Sequence, residues 1–212
     1  MEMENNESSL FRQKLQHILD AEAEAIKAIP LSDAYQKAVE LIVDKVNRQG
    51  GKLVTSGMGK AGQIGMNIAT TFCSTGTPAV FLHPSEAQHG DLGILQKNDV
   101  LLLLSNSGKT REILELIDLA RVLYPQIPFI LITGDPDSPV AKQADITLAT
   151  GASPEVCPLG MTPTTSTTMM TVMGDLLVVA TMEAINFTIE EYAKRHHGGY
   201  LGHKSRTASD RH

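Results

Sequence analysis

Val100-Leu101-Leu102-Leu103-Leu104, running straight into Ser105-Asn106-Ser107-Gly108-Lys109-Thr110, is the stretch whose reading decides the fold. Five apolar residues without alternation describe a strand covered on both faces, the mark of a central strand in a parallel sheet. A short polar turn and a helix starting near Thr110 then make a strand–loop–helix unit. Working outward, four more short apolar runs occur at Lys52–Ser56, Ala79–His83, Phe129–Thr133 and Ile146–Ala149, most with Gly, Pro, Asp or Asn near their boundaries. Helical segments separate them, and strands alternating with helices imply parallel pairing through right-handed crossovers. The reading is α/β: a three-layer α/β/α sandwich around a five-stranded parallel sheet. Phe11–Ile29 and Ser32–Arg48 carry apolar residues at helical spacing and form an N-terminal helical hairpin, with Ser32-Asp33 as a cap. A Pro/Gly/Ser/Thr loop over Gly151–Ser166 leads into a long helix and then a short one ending near Arg195. The polar ends, 1–9 and 203–212, are expected to be mobile, leaving 10–202 as a single domain.

The chain has 212 residues, enough for one such domain, and only 4% aromatics with no Trp, so the core must be built from Leu, Ile, Val, Ala and Met. A formal net charge of −6 provides no basic field for nucleic acid or anionic lipid, so an anionic ligand must be held locally. Two cysteines, Cys73 and Cys157, cannot make a disulfide framework and fit a reducing compartment. The start, Met1–Ser8, is acidic and unlike a signal peptide. Met169–Ile185 is interrupted by Gly174, Asp175 and Glu183, and reads as a buried helix rather than a membrane span. A cytoplasmic protein is expected.

In open parallel sheets ligands bind outside the carboxyl ends of the strands. Gly57-Met58-Gly59-Lys60-Ala61-Gly62 follows the first strand and has the spacing of a dinucleotide fingerprint. That fingerprint also needs an acid at the end of the next strand, where this chain has His83-Pro84. The glycines suit tight strand–helix packing, and Lys60 would stand where its ammonium can meet a substrate oxygen. Gly108-Lys109-Thr110 looks like the end of a P-loop, but the earlier glycine of that motif would fall on Leu103, inside the strand. What remains is a hydroxyl-rich loop in which Ser105, Ser107 and Thr110, with Asn106 and the N–H groups of a helix start, form a neutral cradle for a phosphate. One helix cap would account for only one of these hydroxyls.

His83-Pro84-Ser85-Glu86-Ala87-Gln88-His89-Gly90-Asp91 follows the second strand. Its two histidines and two acids allow a divalent metal or contacts to substrate hydroxyls, and the spacing fits no standard zinc pattern. Glu112, in the first turn of a helix, suits either the helix dipole or catalysis. Glu155 stands in a Pro/Gly loop, where acids are usually solvated. His196-His197-Gly198-Gly199 follows the last helix, and Cys157 reads as packing.

These stretches, taken in order, resemble the SIS (sugar isomerase) domain family, and within it the arabinose 5-phosphate isomerases of the lipopolysaccharide sugar Kdo pathway. The resemblance covers roughly residues 10–202. It is carried by Gly57-Met58-Gly59-Lys60, Ser74-Thr75-Gly76-Thr77-Pro78, His83-Pro84 with Glu86, His89-Gly90-Asp91-Leu92-Gly93 and Ser105-Asn106-Ser107-Gly108. Further on it rests on Glu155 with Cys157-Pro158-Leu159-Gly160, Thr165-Ser166-Thr167-Thr168, and Gly198-Gly199 with Leu201-Gly202. It implies a flavodoxin-like SIS fold and interconversion of D-arabinose 5-phosphate and D-ribulose 5-phosphate, for lipopolysaccharide or capsule sugars, without a cofactor. By that resemblance Lys60, Glu112, Glu155 and His196 form the catalytic group. Ser105, Asn106, Ser107, Gly108 and Thr110 hold the phosphate, while Gly76, Thr77, His83 and His89 contact the sugar. His83 is also the implied ligand of an adventitious, inhibitory zinc.

Two features depart from the family pattern. Members often carry a pair of CBS modules after this domain, whereas this sequence stops at His212, which implies a form without them. Where many relatives have His-Pro-Gly-Gly, it has His196-His197-Gly198-Gly199, so His197 is a substitute candidate.

Aldose–ketose isomerisation needs ring opening, then transfer of a proton between two neighbouring carbons through an enediol. A carboxylate or imidazole with its pKa moved toward neutrality suits the proton transfers, and by the resemblance the carbon-bound proton is assigned to Glu155 or Glu112. Lys60 would stabilise the enediolate oxygens and His196 would open the ring. The position of His196 late in the chain implies a homo-oligomer, dimer or tetramer, with sites shared between subunits. The competing readings are an isomerase for another phosphosugar, such as a hexulose 6-phosphate, and a non-catalytic module that senses a sugar phosphate or sugar nucleotide.

Overall fold

The computed structural model describes residues 2–200, 202 and 204, with side chains from residue 8 onward. Most of the expected tail, and Leu201, therefore lie outside the described residues. The helices are α1 (Glu2–Lys27), α2 (Asp33–Ile42), α3 (Gly59–Ser74), α4 (Pro84–Ala87), α5 (Arg111–Leu123), α6 (Thr165–Ala184) and α7 (Ile189–Arg195). The strands are β1 (Leu53–Gly57), β2 (Ala79–Phe81), β3 (Val100–Leu104), β4 (Phe129–Thr133) and β5 (Ile146–Ala149). All pairings are parallel, and the spatial order is β2-β1-β3-β4-β5.

β3 occupies the centre, with both faces covered as its unbroken leucines imply. Leu102 and Leu104 join a core with Phe72, Ile130, Ile132, Met169, Met173 and Leu177, on the side of α1, α2, α3 and α6. Leu101 and Leu103 point to the opposite core, where Ile113, Leu116 and Ile117 of α5 meet Phe129 and Leu131. Each β3 leucine is fully buried, and each contributes about 1.5–3 kcal/mol of apolar burial to the fold.

The two expected N-terminal helices are present, and both pack against α6. Ser32 caps α2, its Oγ accepting from Ala34 N at 3.4 Å. α2 continues into one wide turn, Val43–Arg48. The first helix does not begin near Phe11 after a loose segment; its backbone is helical from Glu2. Among the described residues no single helix is long and apolar enough to cross a membrane.

In order β2-β1-β3-β4-β5 the chain leaves β1 to one side and β3 to the other, so the switch point lies between the carboxyl ends of β1 and β3. Gly57 pairs with Leu104 there, and the loops carrying Lys60 and Ser105 open side by side at that crevice.

Candidate active site

Glycines shape the β1–α3 turn. Gly59 has φ +55°, a left-handed conformation that disfavours a side chain. A Cβ on Gly62 would stand 2.5 Å from Gly57 O, so α3 lies hard against the end of β1. This is tight packing of strand and helix, and it brings Lys60 to the switch point.

The loop after β3 is held from several directions. Gly108 N donates to Ser105 O at 3.1 Å, Val140 N to Gly108 O at 3.0 Å, and Gly134 N to Asn106 O at 3.0 Å. The hydroxyls of Ser105 and Thr110 bond each other at 2.8 Å, and Ser107 Oγ accepts from Lys109 N at 3.2 Å. Thr110 stands at the N-cap of α5 but makes no side-chain bond to its first turn. The hydroxyls are therefore not consumed in capping α5, and its dipole and first-turn N–H groups face the loop.

Gly108 has φ +59°, and a Cβ there would overlap Oγ and Cβ of Ser138. Gly108→Ala is therefore expected to destabilise the fold by about 2 kcal/mol or more, from left-handed strain plus overlap. Urea unfolding measures this; a midpoint within error of the parent would contradict it.

These loops line a cavity of about 300 Å³ together with Glu155, Ser166, Thr167 and Met170. Lys60, Ser105, Asn106, Ser107, Thr110 and Glu155, six of the residues singled out in the sequence, thus converge on one space. α6 supplies its far wall. The Glu155 carboxylate sits at the start of α6, where Oε2 accepts from Thr164 N at 2.7 Å, Thr164 Oγ1 at 2.9 Å and Ser166 N at 3.3 Å. Oε1 accepts a short bond from Ser166 Oγ. Burial alone would push this carboxyl up, but the bonds from Ser166 and Thr164 outweigh it and hold it below the usual carboxylate range. That is the opposite of the shift toward neutrality expected for this acid.

Other expected residues fall elsewhere in the single chain. Glu112 is half-buried on the first turn of α5 and does not line the cavity. His83 and His89 follow β2 on the same edge of the sheet, outside the cavity lining. Among the described residues His83 Nδ1 is buried without a hydrogen-bond partner, and no three His, Cys, Asp or Glu side chains converge as a metal-binding group.

Gly76 and Thr77 precede β2, whose Ala79 pairs with Leu53 at the start of β1, so they stand at the amino edge of the sheet, opposite the cavity. Asn47 holds them there, its Nδ2 donating to Gly76 O at 3.4 Å and Thr77 Oγ1 at 3.3 Å. His196 belongs to that end too. α6 runs about 30 Å away from the cavity at 1.5 Å per residue. Beyond it Phe187 lies against Gly76, and the Arg195 guanidinium stands 5.4 Å from the centre of the Phe187 ring. His196 stacks on Tyr192 at 3.7 Å between ring centres, with Nδ1 2.9 Å from Tyr192 O.

The sequence reading missed two features. Thr164 and Ser166 hold Glu155, for which the hydroxyl run at the start of a helix was the available signal. Cys157 is more than packing: its sulfur accepts from Thr162 N at 3.1 Å and Met161 N at 3.3 Å. Bonds from Thr162, then from Met161 and Leu159, outweigh desolvation and bring the thiol down to about 7.

Comparison with known proteins agrees with this architecture. The SIS domain model matches residues 47–180. The arabinose 5-phosphate isomerase KdsD of Pseudomonas aeruginosa is 43% identical over 196 residues, 92% of this chain and 58% of that protein. Its counterpart in Escherichia coli K12 is 51% identical over 154 residues, 73% of this chain and 46% of that one. The chain thus spans about half the length of these curated relatives. A Bacteroides fragilis protein of solved structure, proposed as a phosphosugar isomerase involved in capsule formation, is 69% identical with TM-score 0.89, covering 90% of this chain and 99% of that one. The Escherichia coli CFT073 protein c3406, solved in complex with arabinose 5-phosphate, is 33% identical with TM-score 0.79, covering 87% and 96%. With the switch-point cavity and these matches, the conclusion is plain: the chain belongs to the SIS domain family.

Proposed function

We propose that this chain is an aldose–ketose isomerase that interconverts D-arabinose 5-phosphate and D-ribulose 5-phosphate, serving lipopolysaccharide or capsule sugar synthesis in the cytoplasm. The observation that carries the proposal is the convergence of a phosphate cradle, one ammonium and one carboxylate on a single cavity. The names of the curated relatives and the sugar bound to c3406 support the choice of pentose.

The 5-phosphate is held by Ser105, Ser107, Thr110 and the start of α5, leaving carbons 1 and 2 near Lys60 and Glu155. Glu155 takes the proton from the carbon beside the carbonyl. The C–H electron pair becomes the enediol double bond, and the carbonyl pair moves onto oxygen, where Lys60 stabilises it. The former carbonyl oxygen takes up a proton, and the neighbouring hydroxyl gives one up as its oxygen becomes the new carbonyl. Return of the carbon-bound proton to the carbon that lost its carbonyl gives the isomer, with no net redox change and no cofactor.

Ring opening is assigned to His196 of a neighbouring subunit. Supporting this is the separation within one chain: His196, Gly76 and Thr77 share one end, and the phosphate cradle lies at the other. The active form is then a homo-oligomer, dimer or tetramer, with composite sites. Mixing denatured Glu155→Gln and His196→Ala chains and refolding them together is expected to restore turnover that neither variant has alone. A monomeric sedimentation profile at micromolar concentration would contradict this.

Substrate choice is tested by a proton-NMR panel containing arabinose 5-phosphate, a hexulose 6-phosphate and a hexosamine 6-phosphate. Turnover of the pentose in preference to the others is expected. Turnover of only a hexose phosphate would move the assignment to another isomerase, and binding without turnover would make the chain a sensing module.

A further inference from the structure

The bonds around Glu155 are more than a helix cap requires. Thr164 stands at the N-cap of α6 without a side-chain bond to its own helix. Glu155 substitutes for that cap by accepting Thr164 N and Ser166 N, which satisfies backbone donors left unpaired at any helix start. Capping does not account for the two hydroxyl bonds, from Thr164 Oγ1 to Oε2 and from Ser166 Oγ to Oε1. Ser166 is 6% exposed, and its side chain shares the cavity with Glu155 and Lys60.

A carboxylate has about four acceptor positions, two on each oxygen. Among the described residues three donors crowd Oε2, more than its two positions, while Oε1 has one donor and one remaining position. We propose that Ser166, together with Thr164, is a positioning residue that fixes the Glu155 carboxylate so that Oε1 is the atom that takes the substrate's carbon-bound proton. The proposal rests on the isomerase reading above and adds the part of α6 to it. When Oε1 receives the proton the C–H bond breaks and its electron pair passes into the enediolate. The bonds to Oε2 remain, so the acid stays in place for the return transfer.

Several ionisable groups surround this carboxylate. Lys60 faces it across the cavity from α3. On its other side a groove is lined by His17 and Glu24 of α1. Glu22 of α1 accepts from Thr165 Oγ1 at 3.4 Å, and the Cys157 thiol lies two residues along the loop. Replacing Ser166 removes none of these groups, so the serine's own effect is read with the same charged residues in place.

The test is the pH dependence of kcat and KM for Ser166→Ala, Ser166→Thr and Thr164→Val, in the parent and in Glu155→Gln, together with carbon-13 titration of Glu155. Ser166→Ala is expected to lower kcat about tenfold, the size of one lost bond to a charged group, with KM nearly unchanged. Because the serine bond favours the ionised form, its removal raises the Glu155 titration, and the acid limb of kcat/KM moves up with it. Ser166→Thr retains a hydroxyl and restores most of the loss. In Glu155→Gln the serine substitution adds little. Thr164→Val carries the same expectation at smaller size, so a Ser166→Ala chain that fails to fold does not end the test.

An inactive Glu155→Gln beside a Ser166→Ala with parental kcat and acid limb overturns this proposal alone. An undiminished serine effect in Glu155→Gln does so as well, since Ser166 would then act on substrate by itself. A fully active Glu155→Gln removes the proposed role of the carboxylate and this proposal with it.

Discussion

Glu155→Gln is expected to lower kcat about a thousandfold, within the range that a positioned proton-transfer group contributes. The amide keeps the volume and can still accept from Thr164 N and Ser166 N, so α6 stays capped and KM for the pentose phosphate changes little. What disappears is the basic oxygen. The four bonds that the carboxylate accepts hold it ionised below the usual range, so its basic form is present at neutral pH and is lost only on acidification through that lowered value. Exchange of the carbon-bound proton with solvent deuterium should fall in step with turnover. Glu112→Gln, outside the cavity lining, should retain exchange. Unimpaired exchange in both variants would end the assignment of either acid.

Lys60→Ala is the second large effect. Lys60 lines the cavity at the start of α3, where the enediolate oxygens would develop charge. Removal of a preorganised stabiliser of developing charge costs about 10²–10³ in kcat. With the phosphate proposed to be held mainly by neutral donors, the hydroxyls and the α5 N-terminus, KM should rise far less than kcat falls. Lys60→Arg should not rescue fully, because a planar fork cannot take the place of a compact ammonium. Steady-state kinetics decide between the two roles: a rise in KM at constant kcat would make Lys60 a phosphate ligand instead.

Much of the fold was legible because local and global signals agree. The leucines of β3 have no polar alternation and lie between two cores. Ser32 announces α2 and caps it. The start of α1 was not legible, because residues 2–9 carry no apolar stripe to mark a helix face. At the site, the glycine turn at Gly57 and the hydroxyls of Ser105–Thr110 could be read because each follows a strand directly.

Gly76 and Thr77 illustrate a rule that the sequence already contained. Residues preceding a parallel strand stand at the amino edge, whatever their chemistry, so a shared site with Ser105 requires a second chain. His196 follows from the same geometry, since a helix as long as α6 returns the chain to the far edge. The hold of Thr164 and Ser166 on Glu155 was hidden for another reason. It joins an aperiodic loop to a helix start across nine to eleven residues, and no local pattern encodes such a pairing.

The central claim is that the cavity isomerises a pentose 5-phosphate through an enediol. Arabinose 5-phosphate should be incubated with the purified chain in deuterium oxide containing a metal chelator, and followed by proton NMR. Ribulose 5-phosphate is expected to appear, with deuterium entering at the carbons that exchange the proton. Unchanged arabinose 5-phosphate, with no conversion and no deuterium incorporation, would contradict it.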